Sequence, residues 1–137
     1  MSRNQLTTLP KEIEQLVNLE SLHLRDNELT TLPEEIGILK NLKYLDISRN
    51  QISNFPKEIQ KLQNLEALFL SINNLSTLPK EIGQLENLLF LHLSDNKLTS
   101  LPKEIGKLKK LKRLNLWNNP TLKTTEDNIR KLFHNQD

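Results

Sequence analysis

Leucine and isoleucine alternate with polar or aromatic residues at five places along the chain. The pairs are Leu22 and Leu24, Leu45 and Ile47, Leu68 and Leu70, Leu91 and Leu93, and Leu114 and Leu116. A period of two is that of a short strand with one buried face. A different period follows each of the first four pairs. In PEEIGIL, Ile36 and Leu39 are three apart, which predicts a short helical or 3₁₀ return. Pro33 fits the first position of that turn, and Glu34 and Glu35 suit its positive end. The chain therefore alternates strands near 20–25, 43–48, 66–71, 89–94 and 112–117 with brief helical segments.

The alternation is also a repeat. LHLRDNELTTLPEEI, from Leu22, returns almost unchanged 69 residues later as LHLSDNKLTSLPKEI. The underlying period is 23. Asparagine recurs at Asn4, Asn27, Asn50, Asn73, Asn96 and Asn119, proline at Pro10, Pro33, Pro56, Pro79 and Pro102, and isoleucine at Ile13, Ile36, Ile59, Ile82 and Ile105. One such unit cannot cover its own leucines, but stacked units close a continuous core. The strands then line up in parallel, with rungs about 4.8 Å apart. The column Asn27, Asn50, Asn73, Asn96 and Asn119 is expected to satisfy backbone groups where each strand bends away. Gly37, Gly83 and Gly106 share a column with Glu14 and Gln60, so a positive φ is not required there and no special role is expected of them.

With its Leu-x-x-Leu-x-Leu-x-x-Asn-x-Leu-x-x-Leu-Pro-x-x-Ile-x-x-Leu unit, the sequence resembles the leucine-rich repeat family in its 23-residue form. Bacterial members and the plant Ras-group repeats are similar. The resemblance implies an α/β fold: a right-handed solenoid, parallel strands on the concave face, and short helical or 3₁₀ segments on the convex face. It also implies a non-enzymatic protein-binding scaffold. Bacterial members are often secreted or surface-exposed and engage host proteins, so a similar setting is implied here.

The two ends depart from the repeat. Residues 1–18 form a partial first unit with no strand before it, and no amphipathic N-terminal cap is visible. The strand near Ser21 is therefore expected to be an open sheet edge, able to self-associate with another copy. The solenoid is expected to span residues 1–122. After Asn119-Pro120 the pattern gives way to TTEDNIRKLF. There Ile129, Leu132 and Phe133 share a helical face, Thr124 or Thr125 can start the helix, and Glu126 and Asp127 favour its first turn. A C-terminal capping helix is expected within 123–137, with a detached partner-binding helix as the alternative.

Function must lie in the positions the repeat leaves free. Between the leucines, strand side chains point out of the concave face. One such column is Ser21, Tyr44, Ala67, Phe90 and Arg113. The next is His23, Asp46, Phe69, His92 and Asn115, and the third is Arg25, Ser48, Ser71, Ser94 and Trp117. Six residues are aromatic. Phe55 takes a core leucine position and Phe133 the cap, while Tyr44, Phe69, Phe90 and Trp117 all fall on this face. Ala67 is expected to leave a shallow dip between Tyr44 and Phe90. Ile72 and Leu89 stand where polar residues are usual. Clustered exposed aromatics mark a binding patch. The plainer alternative is that rings favour strands and pack on one another. A protein or peptide ligand is expected on this face, with Tyr44, Phe69, Phe90, Trp117, His23, Asp46, His92 and Arg113 as the candidate contacts.

Chemistry finds less support. His23 and Asp46 are expected to pair across adjacent strands, two-thirds of a hydrolytic triad, but the face offers no oxyanion pocket or lid. His23 and His92 lie three rungs apart, about 14 Å, too far to share an ion. No metal, cofactor or catalytic residue is expected. The net charge of +2 points to no polyanion, yet it is uneven. Residues 1–102 carry ten basic and thirteen acidic side chains, net −3, and residues 103–137 carry nine and four, net +5. KLKKLKR, from Lys107 to Arg113, leaves nucleic acid or anionic lipid as an alternative ligand, with Arg113 and Trp117 able to stack a base. Nucleic acid is not the favoured one, because the charges of this run point in several directions. No cysteine is present and no apolar run reaches membrane-spanning length.

Overall fold

The computed structural model describes residues 5–123 together with residues 128, 129 and 131. Five strands, β1 (Ser21–His23), β2 (Tyr44–Asp46), β3 (Ala67–Phe69), β4 (Phe90–His92) and β5 (Arg113–Asn115), alternate with five 3₁₀ turns. The turns are η1 (Lys11–Gln15), η2 (Glu34–Ile38), η3 (Lys57–Lys61), η4 (Lys80–Gln84) and η5 (Lys103–Lys107). The strands form one parallel sheet in sequence order. Its register is the repeat itself: Leu22 faces Leu45, Leu45 faces Leu68, Leu68 faces Leu91, and Leu91 faces Leu114.

Each strand is three residues long, the centre of the longer span expected. Pairing to the next rung continues past it, through Leu24 N–H to Asp46 O at 2.8 Å and Asp26 N–H to Ser48 O at 3.1 Å. The chain then turns through one left-handed residue per repeat: Asp26, Arg49, Ile72, Asp95 or Asn118, with φ between 57° and 61°. Asp and Asn tolerate that conformation, whereas a β-branched residue such as Ile72 is strained in it.

Inside the coil the leucine and isoleucine columns are almost wholly buried, from Leu9 and Ile13 through Leu108. Phe55 packs against this core from a partly buried position. The asparagine column is buried among them and binds successive repeats together. Asn50 donates from Nδ2 to Leu24 O at 2.9 Å and to Ile47 O at 3.0 Å, and its Oδ1 accepts from Leu29 N–H at 3.0 Å. Asn73, Asn96 and Asn119 repeat the arrangement, and Asn27 accepts from Leu6 N–H at 3.2 Å. A second asparagine column stitches the entry side of the strands. Asn41, Asn64 and Asn87 donate to Val17 O, Lys40 O and Gln63 O at 3.1, 2.8 and 2.7 Å. Its signal in the sequence is the same 23-residue spacing, but exposed polar columns look alike until the partner carbonyls are located.

Two expectations need correction on the convex side. The prolines do not occupy the first helical position. They sit one residue earlier, as extended caps (Pro33 φ −70°, ψ 155°) whose carbonyls accept the first turn bond, Ile36 N–H to Pro33 O at 3.1 Å. The fixed φ of proline suits either place. Nor are the glycines free of a role. None has positive φ, but a Cβ on Gly83 would lie 2.5 Å from Glu104 O, and one on Gly37 would lie 2.9 Å from Glu58 O. Gly37 and Gly83 permit close approach of adjacent turns rather than an unusual backbone.

Among the described residues β1 is paired on one side only, to β2. At the far end Asn128, Ile129 and Lys131 are helical, with Ile129 half-buried. The remainder of the expected cap, including Thr124, Thr125, Glu126, Asp127, Leu132 and Phe133, lies outside the described residues.

Candidate ligand-binding face

Because leucines at Leu22, Leu45, Leu68 and Leu91 point into the core, the residues beside them are delivered to the concave surface. Tyr44, Phe69, Phe90 and His92 are half-buried there, and Ser21, His23, Arg113 and Asn115 are exposed. Trp117 is 73 % exposed.

Four rings form a continuous row across four rungs. His23 and Tyr44 have centroids 4.9 Å apart, Tyr44 and Phe69 are 5.2 Å apart, and Phe69 and His92 meet edge to face at 4.6 Å. The two imidazoles thus extend the row that the aromatic residues begin. Phe90 stands beside it, in register with Ala67 and Arg113. Trp117 lies two residues beyond β5, near the basic end. Ring-to-ring packing alone is what strands favour. The residual exposure of these rings over a closed core is what strand packing leaves unexplained.

Several candidate positions are less open than the alternation suggests. Ala67 is 7 % exposed, so little of its own surface is open between Tyr44 and Phe90. Asp46 is 8 % exposed, and Ser48 and Ser94 are also buried. The expected pairing of His23 with Asp46 is not formed, although the two residues are in register. Asp46 Oδ1 instead accepts from Ser48 N–H at 2.9 Å, while the His23 ring rests on Tyr44. Asn115 makes the same local turn, accepting from Trp117 N–H at 3.0 Å. The two short polar residues of this column, Asp46 and Asn115, bond back to the turn rather than across to the next rung.

Two titrations reflect this packing. Burial and the nearby Asp46 charge raise the Tyr44 phenol above its usual range. Burial, followed by the positive charge of Arg113, lowers the His92 imidazole. Both rings are therefore favoured in their neutral forms.

Charges elsewhere on the face are largely matched. Lys43 meets Glu20 at 3.4 Å, and Asp26 lies 3.7 Å from Arg25 and 3.9 Å from Arg49. In the basic run, Lys107 belongs to η5 and Arg113 to β5, while Lys110 Nζ donates to Asn87 Oδ1 at 2.8 Å. No group of three metal-ligating side chains occurs among the described residues. No helix among them is long and apolar enough to cross a membrane. A recess of about 280 Å³ borders the strand entries, lined by Lys43, Asn64, Glu66, Asn87, Leu89 and Lys110. A wider one, about 660 Å³, opens on the convex side beside Gly37 and Ile38. Ile38 and the stems of Lys40, Gln60, Lys61, Gln63 and Gln84 give the convex recess a largely apolar lining, carried by flexible side chains.

Comparison with known proteins agrees with this architecture. Residues 34–134 match the leucine-rich repeat region family, and residues 18–39 match the leucine-rich repeat family. A solved leucine-rich repeat protein of Leptospira interrogans is 47 % identical, with a TM-score of 0.89 over 96 % of this chain and 33 % of its own. A TDR receptor structure is 27 % identical, with a TM-score of 0.74 over 81 % of this chain and 20 % of its own. An internalin of Listeria monocytogenes shares the fold at 24 % identity, with a TM-score of 0.71 over 81 % of this chain and 32 % of its own. The chain spans about a third of the length of the Leptospira protein. A search of curated proteins found no match.

Proposed function

The chain belongs to the leucine-rich repeat family, and from that premise we propose that it is a non-enzymatic recognition module that captures a protein or peptide on its concave sheet. The observation carrying this reading is the row His23, Tyr44, Phe69 and His92, in mutual contact yet still accessible to a partner. Side chains that cover a core are buried completely here, as Leu45 and Leu68 are. A half-exposed row contributes less to folding and leaves apolar surface for a guest, and aromatic residues are enriched at binding hot spots. The use of Asp46 for a local turn argues against a hydrolytic His–Asp pair. The similarity to a protein solved as a receptor fits the same reading. Self-association through β1 is a second mode of contact we propose, because that strand offers an unpaired edge among the described residues.

Replacing Tyr44, Phe69 and Phe90 together by serine tests the main reading. The circular dichroism spectrum is expected to persist, with stability reduced by about 1–3 kcal/mol in all. A partner that the wild type retains from serum or lysate is expected to be lost. Recovery of that same partner by the triple variant would place the site elsewhere.

A further inference from the structure

Resting on the concave-face reading, we propose that the β4–β5 end of this face is a carboxylate site. It takes an aspartate or glutamate side chain of an extended peptide whose apolar residues lie over Phe90, Phe69 and Tyr44. The argument begins with the charges. Most acidic groups on and beside the face are engaged by the protein itself: Glu20 with Lys43, Asp26 with Arg25 and Arg49, and Asp95 Oδ1 with Asn118 Nδ2 at 2.6 Å. Asp46 is committed to Ser48 N–H. Lys112 and Arg113 are different. Both are exposed, and among the described residues neither has a carboxylate within ion-pair distance.

The cause is visible along the columns. Glu20, Lys43 and Glu66 alternate in sign, but the next two rungs carry Leu89 and Lys112. In the neighbouring column Arg113 stands beside Phe90. The inward neighbour of each cation is therefore a half-buried apolar residue. The backbone holds this arrangement, since Lys112 N–H and Arg113 N–H both donate to Leu89 O, at 2.8 and 3.2 Å. Each cation thus stands one rung from an apolar residue, Lys112 from Leu89 and Arg113 from Phe90. Arg113 also acts on His92 beside it, whose neutral form it favours. An arriving carboxylate accepts the guanidinium fork beside that neutral ring. Next to Leu89 and Phe90 the pair is shielded from water on one side, so it is worth more than an ion pair on an open surface. From Arg113 to His23 the face spans four rungs, about 19 Å, a length covered by about six extended residues.

A displayed library of random decapeptides, selected separately on the wild type, on Arg113→Glu and on the Tyr44/Phe69/Phe90 triple serine variant, tests the proposal. All three proteins are first checked by circular dichroism. Peptides enriched on the wild type are expected to carry an acidic residue within about six positions of an aromatic or aliphatic one. Changing that acid to its amide in the synthetic peptide is expected to weaken binding about tenfold or more by fluorescence anisotropy. Arg113→Glu is expected to turn the selection toward lysine and arginine. Enriched peptides with no acidic preference, or equal binding to Arg113→Glu, overturn the carboxylate site and leave the concave-face reading standing. Acid-only peptides indifferent to the rings overturn it in favour of bare polyanion attraction. If no peptide depends on Tyr44, Phe69 and Phe90, both readings fall.

Discussion

Phe69 and His92, one rung apart, meet edge to face with ring centroids 4.6 Å apart and planes at 85°. The contact removes His92 from water on one side, and Arg113 supplies a positive charge nearby, so the imidazole holds its proton less tightly than a free one. Substituting Arg113 by glutamine is expected to raise the His92 pKa back toward the ordinary value of about 6.5. An NMR titration of the imidazole resonances reads this, and an unchanged value would mean that Arg113 does not act on the ring. Stability follows with a definite sign. The native state binds fewer protons at His92 than the unfolded chain, so the contribution is present above about pH 6.5 and is lost as pH falls through the lower native value.

The asparagine column makes a stability prediction. Asn73 donates to Ile47 O and Leu70 O and accepts from Ile52 N–H. Replacing Asn73 by leucine strands these buried backbone groups and is expected to cost about 3 kcal/mol or more. Urea denaturation at unchanged m-value checks it. A loss below about 1 kcal/mol would show that the backbone finds other partners.

Ile72 makes the opposite prediction. It is 40 % exposed and has a φ of 59°, where the other repeats place Asp, Arg, Asp and Asn. Ile72→Asn is expected to raise stability by about 1 kcal/mol by relieving the left-handed strain. A measured loss would reveal that the isoleucine side chain packs usefully in the native state.

Gly83 and Gly37 are expected to differ in their tolerance of a methyl group. The added Cβ meets Glu104 O at 2.5 Å in the first case and Glu58 O at 2.9 Å in the second. Gly83→Ala is expected to cost about 2–3 kcal/mol, and Gly37→Ala less, by thermal or chemical unfolding. Equal, small effects would mean that the turns can slide apart.

The edge at β1 is tested by concentration. Sedimentation velocity from micromolar to millimolar protein is expected to show a growing dimer fraction, which Ser21→Pro, by removing an outward-facing edge donor, reduces. A strict monomer at the highest concentration would rule out pairing through that edge.

The fold was legible because the 23-residue period ties each leucine, isoleucine and asparagine to its counterpart on the next rung, and a short unit with one apolar face can only be buried by its copies. The candidate face was legible in part. Period two tells which side Tyr44, Phe69 and Phe90 occupy, but not how far each is covered. Asp46 looked like an acid open to solvent beside His23, yet it is buried and bonded to Ser48 N–H. His23 was expected to pair with Asp46 and His92 to stand as a separate contact on the face, yet both histidines complete a row of rings.

From the residues alone came the solenoid, its register, its buried columns and the side on which the aromatics lie, since these follow from spacing. Only the tertiary structure decided which acids are already engaged, which cations have no carboxylate beside them among the described residues, where a glycine admits the neighbouring turn, and which isoleucine is held in a left-handed conformation. Those outcomes depend on distances of a few ångströms between residues 23 apart in the chain, and a linear pattern does not encode such distances.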